Sequence, residues 1–335
     1  MTTSLSRLLV AVFVAFVCVQ AVQGQQPLQL TMDANNVWVR AGESPILAYR
    51  YGAVPFKPYL KELYTPRGLN VLLDAPPDHL HHHGLMFALA VDGVNFWEET
   101  PTAGHQVHRL FTTTQVTTGR EAPSRVPAGA FIGLLDWTGP SGIGVSEVRQ
   151  VAVCQRHTPG VDSLATALEW RSDLSVPRGR QEVTLSGSHY FGLGLRFPRS
   201  MDGKGEFLNA DGKEGTIFRG EERLVRSNWC AYRATADGKP VTVAMFGHPR
   251  NPRDPTTWFT MAKPFAYMSA TLGLHNEPLK FSWGRPLVLQ YCVAVWDEHL
   301  RPTQLDAFYK EWAAFRRPRL NEMSVSSTDE TKEVK

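Results

Sequence analysis

Leu85-Met86-Phe87-Ala88-Leu89-Ala90-Val91, followed by Asp92-Gly93 and then Val94-Asn95-Phe96-Trp97, is the stretch on which the fold reading turns. Asp-Gly between two apolar runs is a strong short-range hairpin signal. It predicts an antiparallel ribbon, and similar punctuation by Gly, Pro, Asn and Asp recurs along the chain. Strands are expected at 37–40, 45–51, 60–64, 145–155, 163–173, 181–186, 191–197, 241–246, 265–270 and 286–296. Helical periodicity is confined to Thr303–Phe315, where Leu305, Phe308, Tyr309, Trp312 and Phe315 recur at helical spacing, Thr303 can cap and Pro318 stops the helix. The reading is therefore all-β: a large antiparallel β-sandwich, supersandwich-like, over residues 25–318, with a C-terminal α-helix at 303–315 packed against it.

The bulk properties narrow the function. Residues 1–24 read as a signal peptide, with Arg7 ahead of the apolar run Leu8–Val19 and small residues before Gln25. The protein is accordingly expected to be periplasmic or secreted. The mature part has no transmembrane domain, since no other segment could span a membrane. The tail 319–335, rich in Ser, Thr, Glu and Lys, is expected to be disordered. A formal net charge of +3 with both signs well mixed gives no nucleic-acid surface. Cys154, Cys230 and Cys292 are widely spaced and sit in apolar contexts; they read as buried small hydrophobes, with one disulfide possible and its pairing undefined.

Immediately before the hairpin stands Asp78-His79-Leu80-His81-His82-His83-Gly84, four of the chain's eleven histidines within five positions. Imidazole moves easily between proton donor, proton acceptor and metal ligand near neutral pH. Asp78 can orient an imidazole through Nδ1, and Gly84 lets the loop turn into the strand. At the far end of the hairpin, Phe96-Trp97-Glu98-Glu99 should return beside the start of the Leu85 strand, so Glu98 or Glu99 is expected near the histidines. Imidazoles with a carboxylate suit either a general acid/base pair or a divalent metal. Trp97 could offer a flat face to a sugar, and His108 could return to the same rim.

The segment Gly247-His248-Pro249-Arg250-Asn251-Pro252-Arg253-Asp254-Pro255 is stiffened by three prolines and precedes Trp258. Such a loop holds polar groups with little entropy to lose, so His248, Asn251, Arg253 and Trp258 form a ligand-binding set. Weaker candidates are Glu147 with Arg149, which share a strand face and can pair with each other, His189 with Arg196, and Asn209 with Asp211-Gly212. Gly192-Leu193-Gly194 lacks the strand-to-helix unit of a dinucleotide fingerprint.

On these residues, above all 78–85, 93–99 and 247–252 with Trp258, the chain resembles a bacterial family usually labelled "methane oxygenase PmoA", over roughly residues 55–296. The resemblance implies site roles for Asp78, His79, His81, His82, Glu99, His108, His248 and Asn251. This chain departs from the family pattern at Leu80, where proline is expected, and at His83, where arginine is common. Members resemble exported proteins of bacteria that degrade complex glycans, whereas the methane monooxygenase subunit of that name spans the membrane many times and this chain does not.

Together these readings lead to an exported carbohydrate-active hydrolase or lyase. His79, His82, Glu99 and His248 are the expected catalytic residues. Trp97, His108, Arg149, Arg196, Asn251 and Trp258 are the expected contacts to a carbohydrate or other small-molecule substrate. His79, His81 and His82 are the candidate ligands of one divalent metal ion. The alternatives are a non-catalytic glycan-binding module and a copper- or iron-dependent oxygenase.

Overall fold

The expected alternation of short strands and turns folds, in a computed structural model describing residues 27–117 and 128–314, into antiparallel sheets and a C-terminal helix. The signal-like segment 1–24 and the tail 319–335 lie outside the described residues. A ten-stranded sheet runs in spatial order through Leu28–Met32, Asn36–Ala41, Ser44–Arg50, Tyr59–Leu63, Leu85–Ala88, Gly192–Arg196, Tyr267–Thr271, Thr257–Met261, Glu222–Arg226 and Thr216–Arg219. An eight-stranded sheet is built around the long strands His105–Thr117, Ala128–Gly139, Gly142–Thr158, Val161–Ser175 and Leu287–Trp296. The two sheets face one another: the Tyr49 ring of the first lies 4.9 Å from Phe131 and 6.5 Å from Trp170 of the second. This is the sandwich expected from the sequence.

The opening hairpin forms, and it does more than fold back. Asp92 and Gly93 both have positive φ (48° and 84°), the geometry that favours a two-residue turn matching strand twist. The apolar run before it is divided between sheets. Leu85–Ala88 pairs with Gly192–Arg196 in the ten-stranded sheet, whereas Ala90–Val91 pairs with Leu185–Ser186 and Val94–Asn95 in a separate four-stranded sheet.

Along Gly142–Thr158, burial alternates as a one-sided strand requires, with Val145, Glu147, Arg149, Val151 and Val153 all turned inward. Two of these are charged. Arg149 donates to both oxygens of Glu147 at 2.8 Å, to the Tyr49 hydroxyl, the Pro58 carbonyl and the Gln106 side chain, and stacks over Trp170. Trp137 and Ser172 complete the Glu147 carboxylate. Arg149 is thus not a substrate contact. It is a fully satisfied ion pair that ties the two sheets together.

The C-terminal helix, Pro302–Ala314, covers the opposite face of the eight-stranded sheet with Leu305, Phe308 and Trp312. It begins one residue before the expected Thr303 cap, with proline in the first turn, where its missing N–H costs nothing; Phe315 lies outside the described residues. Cys154, Cys230 and Cys292 are buried and not joined by a disulfide. No helix among the described residues is long and apolar enough to cross a membrane.

Truncating one member of a buried ion pair strands the other charge. Arg149→Ala is expected to lower unfolding stability by roughly 3–5 kcal/mol. Urea denaturation followed by tryptophan fluorescence measures this, and a loss below about 1 kcal/mol would show that the pair does not tie the sheets.

Candidate functional site

The site forms on the outer face of the ten-stranded sheet. Register sets Arg196, Tyr267 and Met261 side by side on three adjacent strands, and Gly194, Ser269 and Phe259 in the next row. Glycine is required in that second row. A Cβ on Gly194 would stand 2.0 Å from the Tyr267 hydroxyl and 2.9 Å from the Trp97 ring. The missing side chain seats the two aromatic residues that floor the site.

Above this floor, the histidine loop, the end of the hairpin and the segment 188–191 enclose a cavity of about 250 Å³. His79, His81 and His82 contribute to its wall, with Trp97, Glu98, Tyr190, Phe259, Phe265 and Tyr267; Arg219 and Glu222 reach in from the edge hairpin. Gly84 serves by close approach rather than by a sharp turn: a Cβ there would meet the Leu60 carbonyl at 2.3 Å.

Each imidazole has its own environment. His83 is turned away from the cavity and bridges Asp74 at 2.7 Å through Nδ1 and Glu99 at 2.8 Å through Nε2, stacked on Tyr59 at 4.1 Å. Burial works against its charge, but the two carboxylates win and raise its pKa. Glu99 also accepts from the buried Lys57 at 2.7 Å. Burial alone would raise the Glu99 carboxyl; His83 and Lys57 instead hold it at about 2. Glu99 is therefore an ionised clamp and not a free proton acceptor.

His82 is the converse. It is 6% exposed, and burial followed by the neighbouring His81 and His79 pushes its pKa down to about 2. The ring is neutral at physiological pH, and its Nδ1 has no hydrogen-bond partner. Its ring stacks on His79 at 4.6 Å and lies 5.0 Å from Tyr267. His79 is oriented by Asp78, 3.0 Å from its Nδ1, as the sequence predicts. His81 Nε2 stands 3.5 Å from Glu98, and burial lowers its pKa. The hairpin thus returns Glu98 and Glu99 to the histidine loop, but the cavity receives Glu98.

Unsatisfied polar atoms occur here as well as at His108, Thr166 and His275 outside the cavity wall. His82 Nδ1, Trp97 Nε1, Tyr267 Oη, Ser269 Oγ and Arg196 Nε are buried without partners, and all belong to the cavity wall or the sheet face beneath it. Burying a donor unpaired costs about 1–3 kcal/mol, so such a cluster marks groups kept for a ligand.

Other expected site residues lie elsewhere. Arg196 sits under the loop, its guanidinium 3.9 Å from the Phe265 ring and between Asp78 and Asp202. His248 packs 5.5 Å from Trp312 of the C-terminal helix, and Asn251 exchanges two hydrogen bonds with the Gln290 backbone. Arg253 donates to the carbonyls of Leu272, Glu277 and Pro278. Trp258 points to the opposite face of its strand from Phe259 and donates to the Ser227 carbonyl. His108 packs against Tyr51 and Phe111 near the sheet edge. The proline-rich arm therefore fastens the fold and does not enter the cavity. Asn209 accepts from the Asp211 and Lys213 amides, a local turn.

Among the described residues no group of three or more His, Cys, Asp or Glu is arranged to hold a metal ion, and the His79 and His82 rings stack on each other.

Sequence reasoning missed Tyr190, Phe259, Phe265, Tyr267, Arg219 and Glu222. Glu222 is held by Arg219 at 2.7 Å and by His189 at 3.0 Å, and His189 stacks on Phe218 at 3.7 Å. The alternation of Phe265 and Tyr267 was a usable signal, whereas nothing local distinguishes Glu222.

Residues 36–310 match a family described as a family of unknown function, DUF6807. The chain belongs to that family. The match overturns the expected PmoA-like assignment. No curated protein matches this chain. Among solved structures, a GH36 α-galactosidase, AgaB, from Geobacillus stearothermophilus superposes with a TM-score of 0.51 at 9% identity, covering 88% of this chain and 44% of that one. A glycoside hydrolase family 97 enzyme from Pseudoalteromonas sp. strain K8 gives 0.40 at 8% identity, over 82% and 35%. The chain thus spans under half the length of the solved structures it matches, and the AgaB likeness establishes the sandwich fold.

The His83 bridge sets a pH response. Its folded-state pKa lies above the ordinary 6.5, so its stabilisation is complete below that value and is lost as pH rises through the folded pKa. The stability difference between wild type and His83→Gln should therefore shrink as pH rises above about 6.5; a difference that grows with pH in urea titrations would contradict the charged bridge. Gly194→Ala should cost about 1–3 kcal/mol by overpacking Tyr267 and Trp97. A melting temperature unchanged by that substitution would show the floor to be loosely packed.

Proposed function

We propose that this cavity binds a sugar and performs proton transfer on it, as a hydrolase or lyase of an exported carbohydrate-active protein. The observation that carries the reading is the ring of partnerless buried polar atoms inside an aromatic wall. A sugar ring offers what that wall lacks. Its C–H faces pack on aromatic rings while its hydroxyls pair with Trp97 Nε1, Tyr267 Oη and His82 Nδ1.

His82 is the proton acceptor in this reading, because a neutral imidazole with an unused nitrogen is ready to take a proton from a bound hydroxyl or carbon acid. The pKa of about 2 sets the limit: a proton on His82 is held weakly unless the ligand brings negative charge or excludes water differently. His79 stacks behind it and Asp78 fixes the His79 ring. Glu98 supplies a carboxylate at the same wall, and the Tyr190 and Tyr267 hydroxyls, both raised chiefly by burial, remain neutral donors. Export to the periplasm or beyond is supported by Arg7 and the apolar run Leu8–Val19. AgaB is an α-galactosidase, which accords with a sugar ligand, but at 9% identity its activity does not transfer.

A glycan-binding module without turnover is the second reading, favoured by the weak proton affinity of His82. A panel of p-nitrophenyl glycosides and polysaccharide-derived oligosaccharides separates the two. If the catalytic reading holds, His82→Ala should reduce turnover by about 100-fold or more, while His248→Ala, far from the cavity, stays near wild type. Saturable binding with no turnover of any glycoside would support the module; full turnover by His82→Ala would discard the imidazole as the base.

A further inference from the structure

Among the described residues, the charged groups around the cavity have an oppositely charged side chain within 4 Å, except one whose partner is an imidazole. Arg219 is spent on Glu222 at 2.7 Å, and Lys57 on Glu99 at 2.7 Å. Arg196 lies behind Phe265, between Asp78 and Asp202, and Arg199 also faces Asp78. The wall carboxylate left over is Glu98. Its described ion-pair partner is His81, at 3.5 Å, an imidazole that burial drives toward the neutral form. The Glu98 side chain is 33% exposed, so it opens toward the cavity rather than into a closed ion cluster.

The surroundings of this carboxylate are also one-sided. Trp97, Tyr190, Phe259, Phe265 and Tyr267 present π systems, whose faces attract cations and repel anions. Among the described wall residues the cation is Arg219, at the rim, and it already faces Glu222 at 2.7 Å.

Building on the carbohydrate reading above, we propose that Glu98 is the specificity-determining residue of the cavity and selects sugars bearing a basic amine. The ammonium would donate an ionic hydrogen bond to the partly desolvated carboxylate, with the aromatic faces adding cation–π attraction. A neutral sugar would bind through the aromatic floor and the partnerless donors alone. A uronate would bring a second negative charge to Glu98 and find no cation to offset it.

The test uses the full chain and ligand-detected NMR or calorimetry at pH 7, with the methyl glycosides of the amino sugar, the neutral sugar and the uronate in both gluco and galacto series. Amine-bearing ligands should bind on the order of tenfold more tightly than neutral ones, and uronates more weakly than either. In Glu98→Gln, which preserves shape and removes the charge, the three classes should converge to within about threefold. A uronate that binds as tightly as the amine, or an amine preference that survives Glu98→Gln, overturns this proposal and leaves the carbohydrate reading standing. Failure of every glycoside to bind the wild-type protein overturns both.

Discussion

The imidazolium of His83 is the pin on which the cavity depends. It joins Asp74, on the incoming arm of the histidine loop, to Glu99, on the segment leaving the hairpin. A buried cation between two carboxylates would leave excess negative charge, and Lys57 supplies the compensating positive one. Two acids and two bases thus sum to neutrality, and Tyr59 adds a hydroxyl bond to Asp74 and a stacked face beneath His83. Such a cluster tolerates burial because every member is paired. With one imidazole fixed to the frame, the three others are displayed on the other side of the loop. The same contacts take Glu99 out of the chemistry and leave Glu98 at the wall.

The opposite boundary depends on what is missing. Gly194 leaves room on the sheet for an aromatic hydroxyl and an indole, so Tyr267 and Trp97 sit lower than neighbouring side chains would allow. Trp97 is stacked on Phe191 at 5.1 Å and has no exposure, yet its N–H is unpaired. Loop electrostatics above and a glycine gap below therefore create the same volume. The inner face of the sandwich solves a different problem, since there Arg149 and Glu147 leave no bond unmade.

Much of the architecture could be read in advance because strand alternation and turn chemistry are local. The Asp92-Gly93 hairpin, the long strands from 142 to 175 and the helix around Phe308 all follow from patterns spanning a few residues. So does the meeting of the histidine loop with Glu98 and Glu99, since a two-residue turn fixes which ends come together. The proline arm misled for an equally physical reason. Prolines limit what the arm's backbone can do, but such a loop must also satisfy its own neighbours, and His248, Asn251 and Arg253 are spent on the fold. Parity decided Trp258: one position along the strand separates the buried indole from Phe259 in the cavity. Glu222 and Tyr190 reach the site through long-range pairings that no local pattern encodes.

The distribution of unmet hydrogen bonds distinguishes a binding cavity from a packing fault. A core optimised for stability alone would replace Trp97, Tyr267 and His82 by apolar residues of similar size, because each lone buried donor or acceptor costs on the order of 1–3 kcal/mol. Elsewhere, buried polar side chains such as Arg149, Glu147, Trp137, Ser172 and Asn251 are paired. Five unpaired atoms lie at the cavity wall or on the sheet face beneath it, beside the neutral imidazole of His82, while others lie away from it at His108, Thr166 and His275. Folding tolerates that cost at the cavity because the His83 cluster and the glycine gap hold the geometry without help from those atoms. In the proposed carbohydrate reading, their free valences would meet a molecule with both a hydrophobic face and several hydroxyl or amine groups, as a sugar has.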